Sequence, residues 1–429
     1  MRLVLTRAWQ RVLVFATAVL LAGIVIFFSA KAYMAARWDA SSNPALWLKA
    51  AKLEPGNAEY WRHVGLLRQW DMNPSDMREA VHDLQIAAKV NSRSSGVWMD
   101  LADAYATAGE GTRAKEAYDR ALYSFPMSAE VAWRYGNFLL YQENYSEAYP
   151  KIRKAIAIDP SLTQSALAEC WQSNPDVTPI ANGLLPDKSE YYLSAIGFFL
   201  SQKLTDPAVA IWKRQRERAL AIDMEETVPL VDALIGEDRI GEAQQIWQNG
   251  LQASNWLEDG EKNGSLVSNG GFEHDIANGG FDWREVPLSA TNFDFDSAFA
   301  HSGTRSLRVD FDGTENLDFG HLFQYVAVTS GTRYHFSAFV RTEGLTTDRG
   351  IRFEILDVHH PKQLQVATAE LTGTNLWTRL ETDVVSGPDT QAVKITLRRV
   401  PSWKFDNKLN GTVWVDDVAL TPAGAEIKD

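Results

Sequence analysis

Residues 98–126 read WMDLADAYATAGEGTRAKEAYDRALYSFP, and they decide the fold of the N-terminal half of the chain. Trp98, Leu101, Ala102, Tyr105, Ala114, Tyr118, Ala121 and Pro126 form a pattern. Thirty-four residues on, Gly136, Ala148, Ile152, Ala155 and Pro160 return in phase with it. An earlier unit runs from Trp61 and Gly65 through Ala80, Leu84 and Ala87, with MNPSD as a longer connection, and AAKLEPGN around Pro55 reads as the tail of a truncated first unit. Later copies keep only Ala208 with Trp212 and Ala243 with Trp247. A repeat of this length is one supersecondary unit that cannot bury its own apolar face, so neighbours must stack. The pattern predicts pairs of antiparallel helices. Gly65, Ala102 and Gly136 let backbones approach closely, and Pro126 and Pro160 end second helices because proline lacks the amide a helix needs.

These residues resemble tetratricopeptide repeats, strongly across 58–160 and weakly across 189–252. The resemblance implies a curved solenoid whose concave groove binds a protein or peptide partner. Most of the tryptophans in this region fall at packing positions, and no catalytic constellation stands out.

Before the repeats lies VLVFATAVLLAGIVIFFSA, Val12 to Ala30, without a charge. A helix crossing the hydrocarbon core needs ~20 mostly apolar residues. Arg2, Arg7 and Arg11 precede the run, so the positive-inside rule keeps the N-terminus cytoplasmic and exports everything after Arg37. The expectation is a single-pass signal-anchor in the cell membrane with the bulk of the chain periplasmic or extracellular. The competing reading is a cleaved signal peptide, whose apolar region is usually only ~7–15 residues.

After EKNGSLVSNGGFE, rich in Gly, Asn and Ser, the period changes. SLRVDF, FQYVAV, YHFSAFV, IRFEILD, TRLETDVV, AVKITLRRV and GTVWVDDVAL are short β-rich runs joined by turn-forming loops. In YHFSAFV, Tyr334, Phe336, Ala338 and Val340 share one face, the alternation of a half-buried strand. Many short strands without helical period predict an antiparallel sandwich of jelly-roll type.

NGGFE at 269–273, Trp283, HSGTRSL at 301–307, Gln324 with Val326 and Val328, Gly331 with Tyr334, Trp377 and VWVDDVAL at 413–420 recur in an order similar to that of carbohydrate-binding modules of the family 4, 9 and 22 type, a galactose-binding-like jelly roll. The resemblance spans nearly all of 266–422 and implies a structural calcium ion, held here by Glu273 and Asp416 with backbone oxygens of Ser302 and Arg305; Asp417 is the alternative to Asp416, and a hydrogen-bonded turn without metal is the other reading. Hard oxygen ligands joining first and last strands suit calcium. Sugar binding needs an exposed aromatic face with polar groups beside it. Trp403 in RRVPSWKFDNK is the best candidate, with Arg399 and Asp406 as flanking ligand residues; the competing reading packs this loop on the sandwich edge. Trp283, Trp377 and Trp414 fall in the framework and are expected in the core.

The whole chain has 429 residues, 42 Lys+Arg against 55 Asp+Glu and a net charge of −13, without the basic stripe that nucleic acid demands. One cysteine, Cys170, makes neither an internal disulfide nor a cysteine zinc site. No carboxylate spacing singles out the acid/base pair of a glycosidase. The expected architecture is multidomain: a cytoplasmic tip and transmembrane anchor at 1–37, an all-α solenoid at 38–262, an all-β jelly roll at 263–422 and a tail at 423–429. The expected function is a non-enzymatic, membrane-anchored scaffold that binds protein through the solenoid and envelope or extracellular polysaccharide through the sandwich. The alternatives are an assembly factor with a jelly roll that binds no sugar and, less favoured, a glycan hydrolase.

Overall fold

The computed structural model describes residues 7–41, 43–70, 74–254 and 264–423. The N-terminal tip with Arg2, part of the helix-to-strand boundary and the tail from 424 onward lie outside the described residues. Two compact units emerge, Met1–Pro186 and Asp187–Asp429.

The first unit begins with α1 (Ala8–Asp39) and α2 (Pro44–Leu53) and continues as antiparallel pairs: α3 (Ala58–Trp70) with α4 (Pro74–Val90), α5 (Ser95–Thr107) with α6 (Gly111–Ser124), and α7 (Ala129–Tyr141) with α8 (Tyr145–Ile158). It closes with α9 (Thr163–Ser173), the single turn α10 (Val177–Pro179) and a π-helical turn at Ile180–Leu184. The small residues do what their positions require. A Cβ on Gly65 would meet Leu84 Cγ at 2.6 Å, and one on Gly136 would meet Ile152 Cγ1 at 2.4 Å. Ala102, Ala121 and Ala155 are fully buried between paired helices. Serines at 94 and 128 cap α5 and α7 by accepting from the amides of Val97 and Val131, satisfying N–H groups that a helix start leaves unpaired. Three indoles stitch the turns: Trp47, Trp61 and Trp98 donate to the carbonyls of Ser41, Pro55 and Ser92, each six residues back. Of the described helices, α1 alone is long and apolar enough to cross a membrane, and its apolar window is bare.

In the second unit, α11 (Ser189–Ser201) pairs with α12 (Thr205–Glu217) and α13 (Met224–Gly236) with α14 (Ile240–Ser254), burying Ala208, Trp212, Ala243 and Trp247. Ten strands follow: β1 (Trp283–Glu285), β2 (Thr291–Asp296), β3 (Ser306–Asp312), β4 (Phe319–Ala327), β5 (Arg333–Leu345), β6 (Arg352–Asp357), β7 (Gln365–Ala367), β8 (Gly373–Val385), β9 (Ala392–Arg399) and β10 (Asn410–Pro422). They form two antiparallel five-stranded sheets ordered β1-β4-β9-β6-β7 and β2-β3-β10-β5-β8. Tyr334, Phe336, Ala338 and Val340 point into the shared core, where the rings of Phe336 and Phe353 lie 5.1 Å apart. Trp283 and Trp414 are buried as expected, whereas Trp377 is only half-buried. The three-residue strands β1 and β7 carry too few residues to show alternation, and they escape the sequence reading together with β2.

The division at Pro186 differs from the boundary at 262–263, which follows the change from helical to strand period. Its physical basis is a close, hydrogen-bonded contact of the last helix pair with the sandwich. Trp247 donates to Ser268 Oγ at 2.9 Å, and a Cβ on Gly280, whose φ is +57°, would meet that indole at 2.4 Å. Asp232 of α13 accepts from the amide of Gly280 at 2.8 Å and pairs with Arg284 of β1 at 2.5 Å. Asp238, after α13, pairs with His359 at 2.9 Å.

Candidate ligand interface of the sandwich

Three loops meet at one end of the sandwich: 313–318 between β3 and β4, 346–351 between β5 and β6, and 400–409 between β9 and β10. The strand registers Phe319↔Arg399 and Arg352↔Arg398 place these loops together, at the opposite end of the sheet from Asp357 and His359.

Arg399 organises them. Its side chain is fully buried and donates to Asn316 Oδ1 at 2.9 Å, to the Leu317 carbonyl, to Thr347 Oγ1 at 3.3 Å and to the Asn407 carbonyl at 3.1 Å. Burial holds its pKa below the ordinary value. The expected role of Arg399 as a ligand-binding residue is therefore corrected: no part of it reaches solvent, and it ties three loops into one body. Asn316 answers from the other side, accepting from the Ser402 amide at 3.0 Å and donating to the Ser402 carbonyl at 2.9 Å. Ser402 Oγ donates to Asp348 Oδ1 at 2.6 Å, and Lys404 pairs with Asp348 at 3.2 Å. Those two partners hold the Asp348 carboxyl below its usual range.

On this pinned base the tip is bare. Trp403 is 96% exposed, the next-but-one ring, Phe405, is fully exposed, and Asp406 beside them is exposed as well. Sequence reasoning named Trp403 and missed Phe405; two aromatics at i and i+2 in a polar loop were the available signal. Asn316, Thr347 and Asp348 carried no signal, because their roles depend on loops far apart in the chain.

A second aromatic surface lies on the outer face of the β1-β4-β9-β6-β7 sheet, where the rings of Phe323 and Tyr325 are 5.6 Å apart. Its rings already carry cations of this chain: Lys394 Nζ lies 3.7 Å from the centre of Phe323, and Arg284, held by Asp232, lies 4.7 Å from Tyr325. Burial, with Arg284 nearby, lowers the Lys394 pKa. Of these two surfaces, the 400–409 loop is the one that carries bare rings.

The expected calcium ligands come together in a different way. Glu273 Oε1 accepts from the amides of Thr304 at 2.8 Å and Arg305 at 3.3 Å, and Oε2 accepts from Thr304 Oγ1 at 2.5 Å. Burial raises the Glu273 carboxyl, but these bonds together outweigh it and hold its pKa below the usual value. Gly303, at φ +63°, makes the approach possible, since a Cβ there would meet Glu273 Oε1 at 2.2 Å. Asp416, fully buried at a bulge in β10, accepts from the amides of His301 at 2.7 Å, Ser302 at 3.2 Å and Asp417 at 2.8 Å. Burial, then the adjacent Asp417, pushes its pKa up to about 6. Calcium binding requires oxygens turned to one centre. Here Ser302 and Arg305 turn their N–H groups to the carboxylates. Among the described residues no group of three or more His, Cys, Asp or Glu side chains is gathered to hold a metal. The two carboxylates clamp the 301–305 loop by hydrogen bonds.

In the first unit, α3, α5 and α7 line a groove. One stretch of about 760 Å³ is walled by Asp103, Tyr118, Trp133, Arg134, Asn137 and Phe138, and it continues past Arg62, Leu66 and Asp100. Arg134 pairs with Asp103 at 2.8 Å, and Arg62 pairs with Asp100, whose carboxyl burial raises in spite of that partner. These are the groove residues that linear sequence could not select.

Comparison with known proteins agrees with this division. Residues 264–401 match a carbohydrate binding domain, and residues 75–126 and 99–162 match the tetratricopeptide repeat. The chain joins tetratricopeptide repeats to a carbohydrate-binding-type sandwich. No curated protein matches it. Among solved structures it is similar to one described as "CBM4 structure and function" (18% identity, 36% of this chain and 99% of that one, TM-score 0.27) and to TmCBM61 in complex with beta-1,4-galactotriose (18% identity, 37% and 98%, TM-score 0.27). It is also similar to YrrB, a TPR protein with an unusual peptide-binding site (12% identity, 40% and 91%, TM-score 0.26).

Proposed function

We propose that this chain is a membrane-anchored, exported scaffold that binds a protein partner in the α3–α5–α7 groove and a polysaccharide at the 400–409 loop. The observation that carries the sugar half is the pair of bare rings, Trp403 and Phe405, on a loop fixed at its base by Arg399 and Asn316. A pyranose has an apolar face rimmed by hydroxyls, so it stacks on an exposed ring and hydrogen-bonds to polar neighbours; Asp406 is one such neighbour. A loop already ordered loses little entropy on binding. The alternative, a jelly roll without sugar binding, requires Trp403 to be covered by another domain, and the ring is bare. Capping of the last helix pair by the sandwich is compatible with sugar binding, because the helices and the aromatic loop use opposite ends. Repeat arrays need their ends covered.

Affinity electrophoresis of the detergent-solubilised chain through gels containing soluble polysaccharides tests this reading. Retardation by at least one glycan, lost in Trp403→Ala and weakened in Phe405→Ala with unchanged melting, is the expected result. Free migration of the unaltered chain through every glycan would remove the sugar half. Resistance of the protein to alkaline extraction from membranes, with the chain beyond Arg37 digested in intact spheroplasts, is expected of the anchor.

A further inference from the structure

The anchor helix does not end where the apolar run ends. α1 is continuous from Ala8 to Asp39, about 48 Å at ~1.5 Å per residue. Val12–Ala30 fills a hydrocarbon core of ~30 Å, which brings Lys31 to the headgroup level. The last two turns are part of the folded solenoid. Ala35 is fully buried with Ala50, Ala51, Tyr60 and Val64, Trp38 packs on the same cluster, and Asp39 pairs with His63 at 2.8 Å. No linker separates membrane helix from repeats.

Because the helices alternate in direction, α2, α4 and α6 each run back toward the side from which α1 emerges. Their C-terminal turns therefore share one edge of the solenoid. A groove of about 730 Å³ shows this for the first two of these turns: Phe28 and Lys31 of α1 face Glu54 and Asn57 after α2, Glu59 at the start of α3 and Val90 at the end of α4. This edge carries exposed apolar side chains. Val90 is exposed, and in the turn after α6 Phe125 and Met127 are 55% and 64% exposed. Trp61 and Trp98, at the starts of the following helices, are half-buried in the same turns. Lys31, Lys52, Lys89 and the exposed Arg93 lie at this level, with Glu54 and Glu59 among them, a mixed charge that headgroups carrying both signs can meet.

We propose that this edge of the solenoid, the turns following α2, α4 and α6, lies on the phospholipid bilayer, with Phe125 and Met127 dipping into its interface. The inference rests on the reading of α1 as a membrane anchor. It seats the turns of the solenoid on the bilayer surface, a contact beyond the tether that α1 supplies.

The test is single-site fluorescence in the full chain reconstituted into phosphatidylethanolamine–phosphatidylglycerol vesicles carrying spin-labelled phosphatidylcholine. Buried Cys170, with a thiol that burial and Glu169 push up to about 12, stays unlabelled in the folded protein. Environment-sensitive labels are placed at Phe28→Cys in the anchor, at Met127→Cys on the proposed edge and at Tyr141→Cys at the far end of α7. All three positions are exposed, so folding is preserved, and Val90→Cys provides a second edge position. Quenching by the spin-labelled lipid is expected at 28, 127 and 90, several-fold above that at 141. Strong quenching at 28 with 127 and 90 no different from 141 would overturn the edge proposal and leave the anchor standing. Absence of quenching at 28 would overturn the anchor, and this inference with it.

Discussion

Trp247 and Trp403 lie in the same compact unit, and their exposures are 1% and 96%. Trp247 fills the contact between the last helix pair and the sandwich. Its N–H is satisfied by Ser268, and Gly280 is shaped to admit the ring. Trp403 has no covering neighbour, and all the order around it lies beneath the ring, in Arg399, Asn316 and Asp348. The same side chain thus serves cohesion at one end of the sandwich and presentation at the other. The difference lies in which backbone groups and glycines surround each ring, and it turns into a ranking of measurable effects.

The largest effect is expected at the closed end. Trp247→Ala leaves a cavity and an orphaned Ser268, and should cost about 3–5 kcal/mol, read as a large drop in the melting temperature of the second unit. A small drop would mean that the helix pair and sandwich do not share a core. Next comes the close helix contact of the repeats: Gly136→Ala forces a methyl onto Ile152 and should cost about 1–3 kcal/mol, transmitted to neighbouring repeats. An unchanged melt would break the repeat register.

The carboxylate clamp gives a pH effect of similar or smaller size. The Asp416 pKa is about 6 in the folded state, above the ~3.9 of an unfolded aspartate, so between these values the native state holds more protons. Its contribution is then fully present below the unfolded value and lost as pH rises through about 6. Stability of the sandwich is expected to increase by roughly 1 kcal/mol as pH falls from 7 to 5, measured by denaturant unfolding at each pH. Flat behaviour across that window would show the carboxyl to be better solvated than its burial implies. Chelation is expected to leave the melting temperature unchanged, since amides and hydroxyls fill the clamp; a drop on chelation would restore the calcium reading.

The smallest stability effect belongs to the open end. Trp403→Ala should shift stability by no more than about 0.5 kcal/mol while removing glycan retention, the inverse of Trp247→Ala. A loss of stability comparable to that of Trp247→Ala would erase the contrast between the two tryptophans.

Periodicity made much of this molecule legible. The recurrence of Gly65, Ala102 and Gly136 announced helix pairs, and the alternation in YHFSAFV announced a half-buried strand, because both patterns report local geometry that a neighbouring element must complete. The candidate site was legible only at its tip. Trp403 stood out as an aromatic in a charged loop, whereas Arg399, two residues from the same proline, looked equally available and is entirely buried.

By itself the sequence determined the order of the three parts: the apolar run, the helical repeats and the sandwich. Each is encoded by residues close in the chain, whose hydrophobic period selects one backbone geometry. Only the tertiary structure decided that the last helix pair belongs with the sandwich, that Ser302 and Arg305 offer amides to Glu273 and Asp416, and that Arg399 supports the ring-bearing loop. Those outcomes depend on hydrogen bonds and close approaches between residues tens to more than a hundred positions apart, such as Asn316 with Ser402 and His301 with Asp416. The direction of a buried polar group is set by whichever partner the packing brings within reach, and no local period records it.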